Sequence, residues 1–278
     1  KITIWGNSTI LKKIKNNKKL KKINIDKYSN NIIKRFYWNF FLLPYELKKE
    51  GCNILFSPGG LLFRKKIKTV VMCRNMQPFE LTRQNMYGIS IYTIRLILLN
   101  LLLKFSFKRC DGLIFLTKYA KNKVNSTCKL NMKNQITIPH GINNKFRINK
   151  KGIKKKIETN NKKINIIYVS TVEPYKNHSN LILAIRKIKN KNFKINLNLI
   201  GNVHPKLKDD FFEIIKQKNP KNININYLGY MDYKKIQRYY KQNNIGVFAS
   251  SCENMPNILI EMMSSKLPIA CSNMGPMR

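Results

Sequence analysis

Short apolar runs alternate with longer segments of mixed polarity along most of the chain, and this alternation predicts the secondary structure. Short runs rich in Ile, Leu and Val are typical of strands buried on both faces, whereas apolar residues three or four apart predict helices. The predicted strands are 2–5, 53–56, 69–73, 111–117, 135–138, 164–169, 197–201, 225–230, 245–249 and 267–271. The predicted helices are 9–20, 89–107, 118–124, 179–188, 208–218 and 234–242. We therefore predict an α/β fold with doubly wound parallel sheets.

Two apolar segments outside the predicted strands need separate interpretation. The aromatic run from Phe36 to Pro44 has helical spacing and predicts core packing of a crossover helix. The helix at 89–107 is apolar on most of its surface, which favours burial against a sheet. An alternative for this helix is contact of one face with lipid, because basic residues flank its apolar positions. Both alternatives stay open at the level of sequence.

The length of 278 residues fits two domains, each large enough to bury a core. A stretch rich in Lys and Asn, with little hydrophobic pattern, lies between the strand at 135–138 and the strand at 164–169. We predict an N-terminal domain at 1–148, a linker at 149–163 and a C-terminal domain at 164–278.

The chain is strongly basic, with 54 Lys and Arg against 13 Asp and Glu and a formal net charge of +41. The lysines are spread over every segment, and neither zinc-finger spacing nor an RNP-like aromatic motif accompanies them. We therefore expect no nucleic-acid partner. A general attraction to anions remains, and it predicts weak contact with an anionic membrane surface.

The six cysteines are scattered without Cys-x-x-Cys spacing, and the sequence contains no Asp-x-Asp motif. We interpret the cysteines as small buried side chains in a reducing compartment, and we expect no metal and no cofactor. The longest apolar stretch, from Leu96 to Leu103, is interrupted by Asn100 and is far shorter than a membrane span.

The stretch from Ile245 to Pro276 carries the most specific pattern in the chain. An apolar strand at 245–249 leads into a polar loop, and Pro256 then predicts the first turn of a helix because proline is favoured there. The next strand follows at 267–271. Such a unit directs a helix N-terminus at the carboxyl edge of a parallel sheet, which is where α/β proteins bind anionic ligands. We therefore predict a phosphate site here.

Two glutamates, Glu253 in the loop and Glu261 on the helix, are separated by seven residues. Together with the Glu-Asn-Met-Pro-Asn sequence at 253–257 and the Leu-Pro-Ile-Ala sequence at 267–270, they form a pattern that resembles the donor-site motif of retaining GT-B glycosyltransferases of family 4. The resemblance extends over nearly the whole chain. It implies two Rossmann-like domains that face a cleft.

In that family the first Glu lies beside the donor sugar and the second binds the nucleotide ribose. The resemblance therefore implies that Glu253 is the catalytic residue and Glu261 a ribose ligand. Lys176 matches a family Lys that neutralises the donor diphosphate, and we expect its side chain to be exposed. Thr171 stands where the family commonly has an Arg, which leaves one charge fewer. The implied donor-binding residues are Thr171, Lys176, Asn254, Met255, Pro256, Asn257, Ile258, Leu259 and Glu261.

Further candidates for the acceptor side of the cleft follow predicted strands of the N-terminal domain. The Pro-Gly-Gly turn with Gly59 and Gly60 allows a backbone to approach a ligand closely, although such a turn is more often only a turn. Arg74 and Asn75 stand where many family members have a His-Asp pair, and they are a chemically sensible pair for gripping an acceptor or a phosphate. His140 precedes Gly141 in the turn after 135–138 and either faces the cleft or is structural.

The chain departs from the family pattern at two glycine positions and at its ends. Asn254 replaces a Gly but tolerates a left-handed backbone, whereas Lys266 at a helix cap with positive φ would cost about 1 kcal/mol, which predicts a different helix end. The strand at 2–5 resembles the second strand of the family, and the chain stops at Arg278 within the second domain. We expect a fragment with both domains incomplete, and hence weak or absent activity.

The resemblance implies sugar transfer, with retention, from a nucleotide-diphosphate sugar to a glycan or lipid-linked acceptor in polysaccharide or lipopolysaccharide assembly. It places the protein in the cytoplasm, peripheral to the inner face of the membrane. One alternative is a nucleotide-sugar epimerase built on the same site. Another is a basic nucleic-acid-binding module without catalysis, for which the net charge of +41 is the main support.

Overall fold

The computed structural model describes residues 1–61, 67–80, 88, 90–130, 133–147, 162–189 and 192–278. Its strands are β1 (Ile2–Gly6), β2 (Leu20–Asn24), β3 (Ile54–Ser57), β4 (Lys68–Cys73), β5 (Gly112–Phe115), β6 (Gln135–Thr137), β7 (Lys163–Val169), β8 (Lys194–Ile200), β9 (Ile223–Tyr227), β10 (Ile245–Phe248) and β11 (Ile269–Cys271). Its α-helices are α1 (Ser8–Leu11), α2 (Asp26–Ser29), α3 (Ile32–Tyr37), α4 (Leu43–Lys49), α5 (Ile91–Arg109), α6 (Lys118–Cys128), α7 (His178–Arg186), α8 (Lys208–Lys216), α9 (Tyr233–Gln242) and α10 (Asn257–Ser264). The alternation of strands and helices confirms the predicted α/β class.

The chain divides into two compact units. The first contains Lys1–Arg74, Leu98–Phe115 and Val124–Ile136, and the second contains Asn75–Ile97, Leu116–Lys123 and Thr137–Arg278. The predicted linker at 149–163 lies almost entirely outside the described residues, so the predicted domain boundaries stay a prediction.

The first unit contains two parallel sheets. β3, β4, β5 and β6 form one sheet in that order, while β1 and β2 pair separately. A groove of about 900 Å³ is lined by residues of β1 and of β3. The predicted helix at 9–20 is wrong beyond Leu11, because Leu20–Asn24 pairs with β1 in full register. β2 was not predicted as a strand because it is rich in Lys, and its pairing with β1 stabilises it.

The aromatic segment in the first unit is only partly buried. Trp38 and Leu47 lie in the core, but Phe36 and Phe41 are about half exposed, at 47% and 53%. A π-helical turn at Trp38–Leu42 joins α3 to α4 and rotates the later side chains. The predicted core packing of this helix is therefore wrong for three of its five aromatic residues, Phe36, Tyr37 and Phe41.

The second unit is built on a five-stranded parallel sheet with the order β11-β10-β7-β8-β9. The chain runs outward from β7 through β8 to β9 and then returns to β10 on the other side of β7, so the winding direction reverses between β7 and β10. In doubly wound sheets, ligands bind at this switch point, outside the carboxyl ends of the strands. The loops after β7 and β10 lie there.

The strands of this sheet alternate Ile or Leu with Asn. On the apolar face, Ile166, Leu197 and Ile225 are buried in the core. On the other face, asparagine amides of neighbouring strands bond to one another, as in the 2.7 Å bond from Asn196 Nδ2 to Asn165 Oδ1. Each amide offers both donor and acceptor, so this ladder satisfies its polar groups without charge. Because β7, β8 and β9 pair in a uniform register, the asparagines of neighbouring strands lie opposite one another on one face, and the Ile and Leu side chains do so on the other.

Helix α10 packs closely on β10 at Gly246. A Cβ atom at this position would lie 2.5 Å from Met262 Sδ and 2.9 Å from Leu267 Cδ2. Glycine therefore allows the helix to approach the sheet, and this approach fixes the position of the helix N-terminus beside the switch point. None of the helices in the described ranges is long and apolar enough to span a membrane.

Candidate functional site

The candidate site lies in the second unit, at the carboxyl ends of β7 and β10. These strands are neighbours, with Ile245 opposite Ile166 and Gly246 opposite Ile167. After β7 the chain forms a 3₁₀ turn at Pro174–Lys176 and enters α7, and after β10 a polar loop leads into α10. Two loops and two helix N-termini therefore converge at this edge of the sheet.

Lys176 and Glu253 meet between these two loops. Lys176 Nζ donates a hydrogen bond to Glu253 Oε1 in an ion pair, and the two side chains are only 12% and 13% exposed. The ammonium also lies 4.9 Å from the ring centroid of Tyr175 and 5.5 Å from that of Phe248. The expectation of an exposed Lys176 is therefore wrong, because Glu253 of the neighbouring loop, Tyr175 of the same turn and Phe248 at the end of β10 cover its ammonium group.

The turn that carries Lys176 is attached to the loop after β10 by hydrogen bonds. Tyr168 Oη donates to the carbonyl of Lys176 at 2.8 Å, and the N–H of Ser251 donates to the carbonyl of Tyr175 at 2.8 Å. Asn177 Nδ2 donates to the carbonyl of Ala249 at 2.8 Å. These bonds hold the two loops in one arrangement.

Asn177 has a left-handed backbone conformation, with φ 55°. Asparagine adopts this conformation more readily than most residues, and its amide spans the gap to the second loop. Asn177, Tyr168 and Ser251 are not among the site residues that the sequence predicted. The available signal was the Asn directly after Lys176, between a predicted turn and a predicted helix.

The N-terminus of α10 completes the site. Pro256 is its N-cap residue and Asn257 its first helical residue, so the helix begins one residue later than predicted. No side chain caps the helix. The N–H groups of the first turn, at 257–259, have no carbonyl of an earlier turn to bond to, so they can bind an anion. Asn257 is exposed, while Leu259 is buried in the core.

Glu261 is 5% exposed and faces tyrosines of α9. Its Oε2 accepts a hydrogen bond from Tyr240 Oη at 3.4 Å. Burial raises the pKa of the Glu261 carboxyl above its ordinary value, although hydrogen bonds from Tyr233 and Tyr240 and the charge of Lys145 oppose this rise. Glu253 and Glu261 thus have different partners in this structure: Glu253 forms an ion pair with Lys176, whereas Glu261 accepts a hydrogen bond from Tyr240.

Two other residues of the loop contact side chains or backbone of the same unit. Asn254 is buried, with Thr117 Oγ1 3.4 Å from its Oδ1. The backbone N–H of the half-buried His140 lies 3.0 Å from Met255 Sδ. Asn254 does not have positive φ, so its backbone does not need the left-handed conformation that asparagine tolerates. Thr171 is exposed in the loop after β7.

The remaining candidates lie at strand ends of the N-terminal half. Gly60 has φ 83°, and a Cβ atom there would lie 2.9 Å from Leu103 Cδ2, so close packing and backbone conformation account for this glycine. Gly59 and Arg74 are exposed. Asn75 is also exposed, and its Oδ1 accepts a hydrogen bond from the N–H of Gln77 at 3.0 Å.

The end of α10 differs from the sequence expectation. Lys266 has φ 52°, its N–H donates to the carbonyl of Met263, and the N–H of Leu267 donates to the carbonyl of Met262. This is a Schellman motif with lysine at the position where glycine is preferred. The prediction of a different helix end is wrong, because these two hydrogen bonds and burial of Leu267 outweigh the backbone strain.

Residues 149–278 match the family model described as Glycosyl transferases group 1, which covers somewhat less than half of the chain. No curated protein matches the chain. Among solved structures, sucrose-phosphate synthase from Thermosynechococcus elongatus superposes with a TM-score of 0.67 and 15% identity, over 95% of this chain and 68% of that one. WaaG, a glycosyltransferase involved in lipopolysaccharide biosynthesis, gives 0.67 and 12%, over 94% and 70%.

A third similar structure, Anabaena Alr3699/HepE in complex with UDP, gives a TM-score of 0.55 and 13% identity over 75% of this chain. The chain spans 54% of the length of HepE. At these identities the similarity shows the fold alone. The protein therefore has the GT-B fold, and its residues 149–278 match the glycosyltransferase group 1 model.

Proposed function

We propose that the protein is a retaining glycosyltransferase of family 4, which transfers a sugar from a nucleotide-diphosphate sugar to an acceptor hydroxyl. The observation that carries this proposal is the convergence of Lys176, Glu253 and the N-terminus of α10 at the switch point of the sheet. A cation and free N–H groups suit a diphosphate, while a carboxylate beside them suits the positive charge that develops on an anomeric carbon.

In this reaction the bond between the anomeric carbon and the diphosphate oxygen breaks, and the acceptor oxygen forms a new bond on the same face of the sugar. The acceptor proton passes to the leaving phosphate oxygen. Lys176 and the N–H groups of 257–259 would stabilise the charge on the leaving diphosphate. Glu253 would stabilise the positive charge that develops on the anomeric carbon of the sugar, and Glu261 would bind the ribose. Binding of the donor would give Lys176 a second anionic partner beside Glu253.

The acceptor side is proposed from residue type and strand position. Arg74 and Asn75 would grip a glycan or lipid-linked acceptor, with the turn at Gly59 and Gly60 and the half-buried His140 as further candidates. WaaG acts in lipopolysaccharide biosynthesis, and HepE was crystallised with UDP. These relatives support envelope polysaccharide or lipopolysaccharide assembly at the cytoplasmic face of the membrane as the process, and a nucleotide sugar as the donor.

We expect transfer to need no metal. The sequence has no Asp-x-Asp motif, and the described residues contain no group of three His, Cys, Asp or Glu side chains placed to hold an ion. Activity should persist in EDTA. A requirement for Mg²⁺ or Mn²⁺ would contradict this part of the proposal without affecting the donor class.

The deciding experiment is a thermal-shift panel of UDP, GDP and ADP and of their common sugar conjugates. We expect at least one nucleotide sugar to raise the melting temperature, and Lys176→Ala to abolish this shift. Binding by no nucleotide sugar, together with DNA binding that falls steeply with salt, would favour the nucleic-acid module instead. NMR analysis of the product then separates transfer with retention from epimerisation of the free nucleotide sugar.

A further inference from the structure

Glu261 lies in a cluster of tyrosines within the second unit of the chain. Its side chain is largely buried, and Tyr240 Oη donates to its Oε2 at 3.4 Å. Tyr240 is also buried, so it closes the inner side of the carboxyl group. Tyr233, two turns earlier on α9, is 46% exposed and donates a second hydrogen bond to this carboxyl group. Of the two tyrosines, Tyr233 therefore lies on the side that a ligand can approach.

Tyr233 is held in place although almost half of it is exposed. Lys145 Nζ lies 3.7 Å from the centroid of its ring and donates to its backbone carbonyl at 3.3 Å. The ring of the buried Phe146 lies beside it, with 5.4 Å between the centroids. A cation over the ring and a buried ring beside it restrict the rotamers of a surface tyrosine. The charge of Lys145 also opposes the rise in the pKa of the Glu261 carboxyl that burial causes.

The cluster lies at the same edge of the sheet as the N-terminus of α10. Helix α9 begins at Tyr233, after the loop that leaves the carboxyl end of β9, and α10 begins at Asn257, after the loop that leaves β10. Glu261 follows Asn257 on the same helix by one turn, which is about 6 Å along the helix axis. In a nucleoside diphosphate the ribose is bonded directly to the phosphates. Phosphates at the N–H groups of 257–259 would therefore place the ribose within reach of Glu261.

The two tyrosines leave part of the carboxylate available to a ligand. A carboxylate has about four positions that accept a hydrogen bond. Tyr233 and Tyr240 each use one of them, so about two remain. Ribose presents two hydroxyl groups on adjacent carbons, and both can donate to one carboxylate only if that carboxylate has the right orientation. The side chain that fixes this orientation from the open side is Tyr233.

We propose that Tyr233, held by Lys145, is a positioning residue that orients the Glu261 carboxylate to accept both vicinal hydroxyls of a ribose. The consequence is selection of ribonucleotides over deoxyribonucleotides by the donor site. The inference rests on the proposed function, because it takes Glu261 as the residue that binds the ribose. It deepens that function by assigning a role to two residues outside the donor-site motif.

The test compares UDP, GDP and ADP with their 2′-deoxy forms by isothermal titration of the full chain. The ribose preference is the Kd of the deoxy form divided by the Kd of the ribose form. For the nucleotide that binds, we expect a wild-type preference of about tenfold or more, because the deoxy form lacks one hydrogen bond to a charged group. Tyr233→Phe keeps the ring and removes the hydroxyl, so it should lower this preference about threefold or more. The Kd of the deoxy form should change much less.

Lys145→Met removes the cation over the ring and should lower the ribose preference in the same direction. The matched controls are Tyr239→Phe, at a half-buried tyrosine of α9, and Lys235→Met, at an exposed lysine of α9, and neither should change the preference. In a Glu261→Gln background, Tyr233→Phe should have no further effect on the preference, because Tyr233 acts through the carboxylate. Circular dichroism and the melting temperature establish that each variant folds.

A wild-type ribose preference that Tyr233→Phe leaves intact would overturn this inference alone. Equal losses of affinity for the ribose and deoxy forms would also overturn it, since a purely structural role of Tyr233 predicts that result. A wild type that binds these nucleotides without a ribose preference would overturn the ribose role of Glu261 together with the inference. Binding of none of them would overturn the proposed function as well.

Discussion

Lys176 and Glu253 form an ion pair across the two loops of the switch point, although 76 residues lie between them in the sequence. Both side chains are largely withdrawn from water, so each depends on the other for compensation of its charge. The pair joins the residue proposed to hold the diphosphate to the residue proposed to face the sugar. A change at either position should therefore affect stability as well as donor binding.

The first prediction concerns removal of one partner of this pair. Lys176→Met should destabilise the protein by about 2 to 4 kcal/mol, because it leaves the Glu253 carboxylate buried without a cation. Glu253→Gln should also destabilise it. The double variant should lose less than the sum of the two single variants, by about 1 to 3 kcal/mol. Urea denaturation of all four proteins measures this coupling, and additive losses would show that the pair contributes no net interaction.

The second prediction separates donor binding from stability at Glu261. Burial raises the pKa of its carboxyl, so the native state holds the proton more tightly than the unfolded state. The stability that this residue contributes is therefore present below its ordinary pKa of 4.5 and is lost as the pH rises through its native value. Glu261→Gln should raise the melting temperature at pH 7 relative to the wild type, and this gain should shrink towards pH 4.

The same variant should bind the donor more weakly if Glu261 holds the ribose, whereas Glu253→Gln should chiefly lower kcat. Isothermal titration with the nucleotide sugar identified in the panel measures the first effect. If Glu261→Gln left the donor affinity unchanged, Glu261 would not be part of the donor site. The stability prediction would not be affected.

The third prediction is acid sensitivity that originates at His178. Its imidazole is 3% exposed and stacks on Tyr168 at 4.6 Å between ring centroids. Burial, together with the charge of Lys176, lowers the pKa of His178 to about 4. Stability from the neutral ring is present above the unfolded pKa of about 6.5 and is lost as the pH falls towards 4, by about 3 kcal/mol in total.

His178→Phe keeps the stacked ring and removes the ionisable group, so its free energy of unfolding should fall less between pH 6.5 and pH 4 than that of the wild type. Parallel profiles for the wild type and His178→Phe would contradict the assignment.

The fourth prediction concerns the end of α10. Lys266 holds φ 52° at the position that a Schellman motif reserves for glycine, and its side chain is exposed. Lys266→Gly should stabilise the protein by about 0.5 to 1 kcal/mol, because it removes the left-handed strain without breaking a contact. Lys266→Ala retains a Cβ atom and should give little gain. Thermal denaturation of the two variants compares them directly, and equal melting temperatures would show that strain at this residue is negligible.

The order of strands and helices was determined by the sequence, because hydrophobic periodicity reports which local segments can bury an apolar face. The strand at 245–249, the loop with Glu253 and the helix with Glu261 were predictable for this reason, as were both loops of the switch point. The Lys-rich β2 was not predictable, since its polar composition lacks that periodicity and its structure depends on pairing with β1.

The tertiary structure alone decided which side chains meet. Lys176 and Glu253 are separated by 76 residues, and the local sequence around either residue does not predict their contact. The contact follows from the pairing of β7 with β10. It also decided that Glu261 is buried against Tyr240 and that Lys266 accepts a strained backbone. For α5, composition predicted an apolar helix, but only packing determined that Leu103 and Phe107 are buried while Leu98 and Leu101 stay exposed. Burial and charge pairing are properties of the assembled chain, since they depend on neighbours that are distant in sequence.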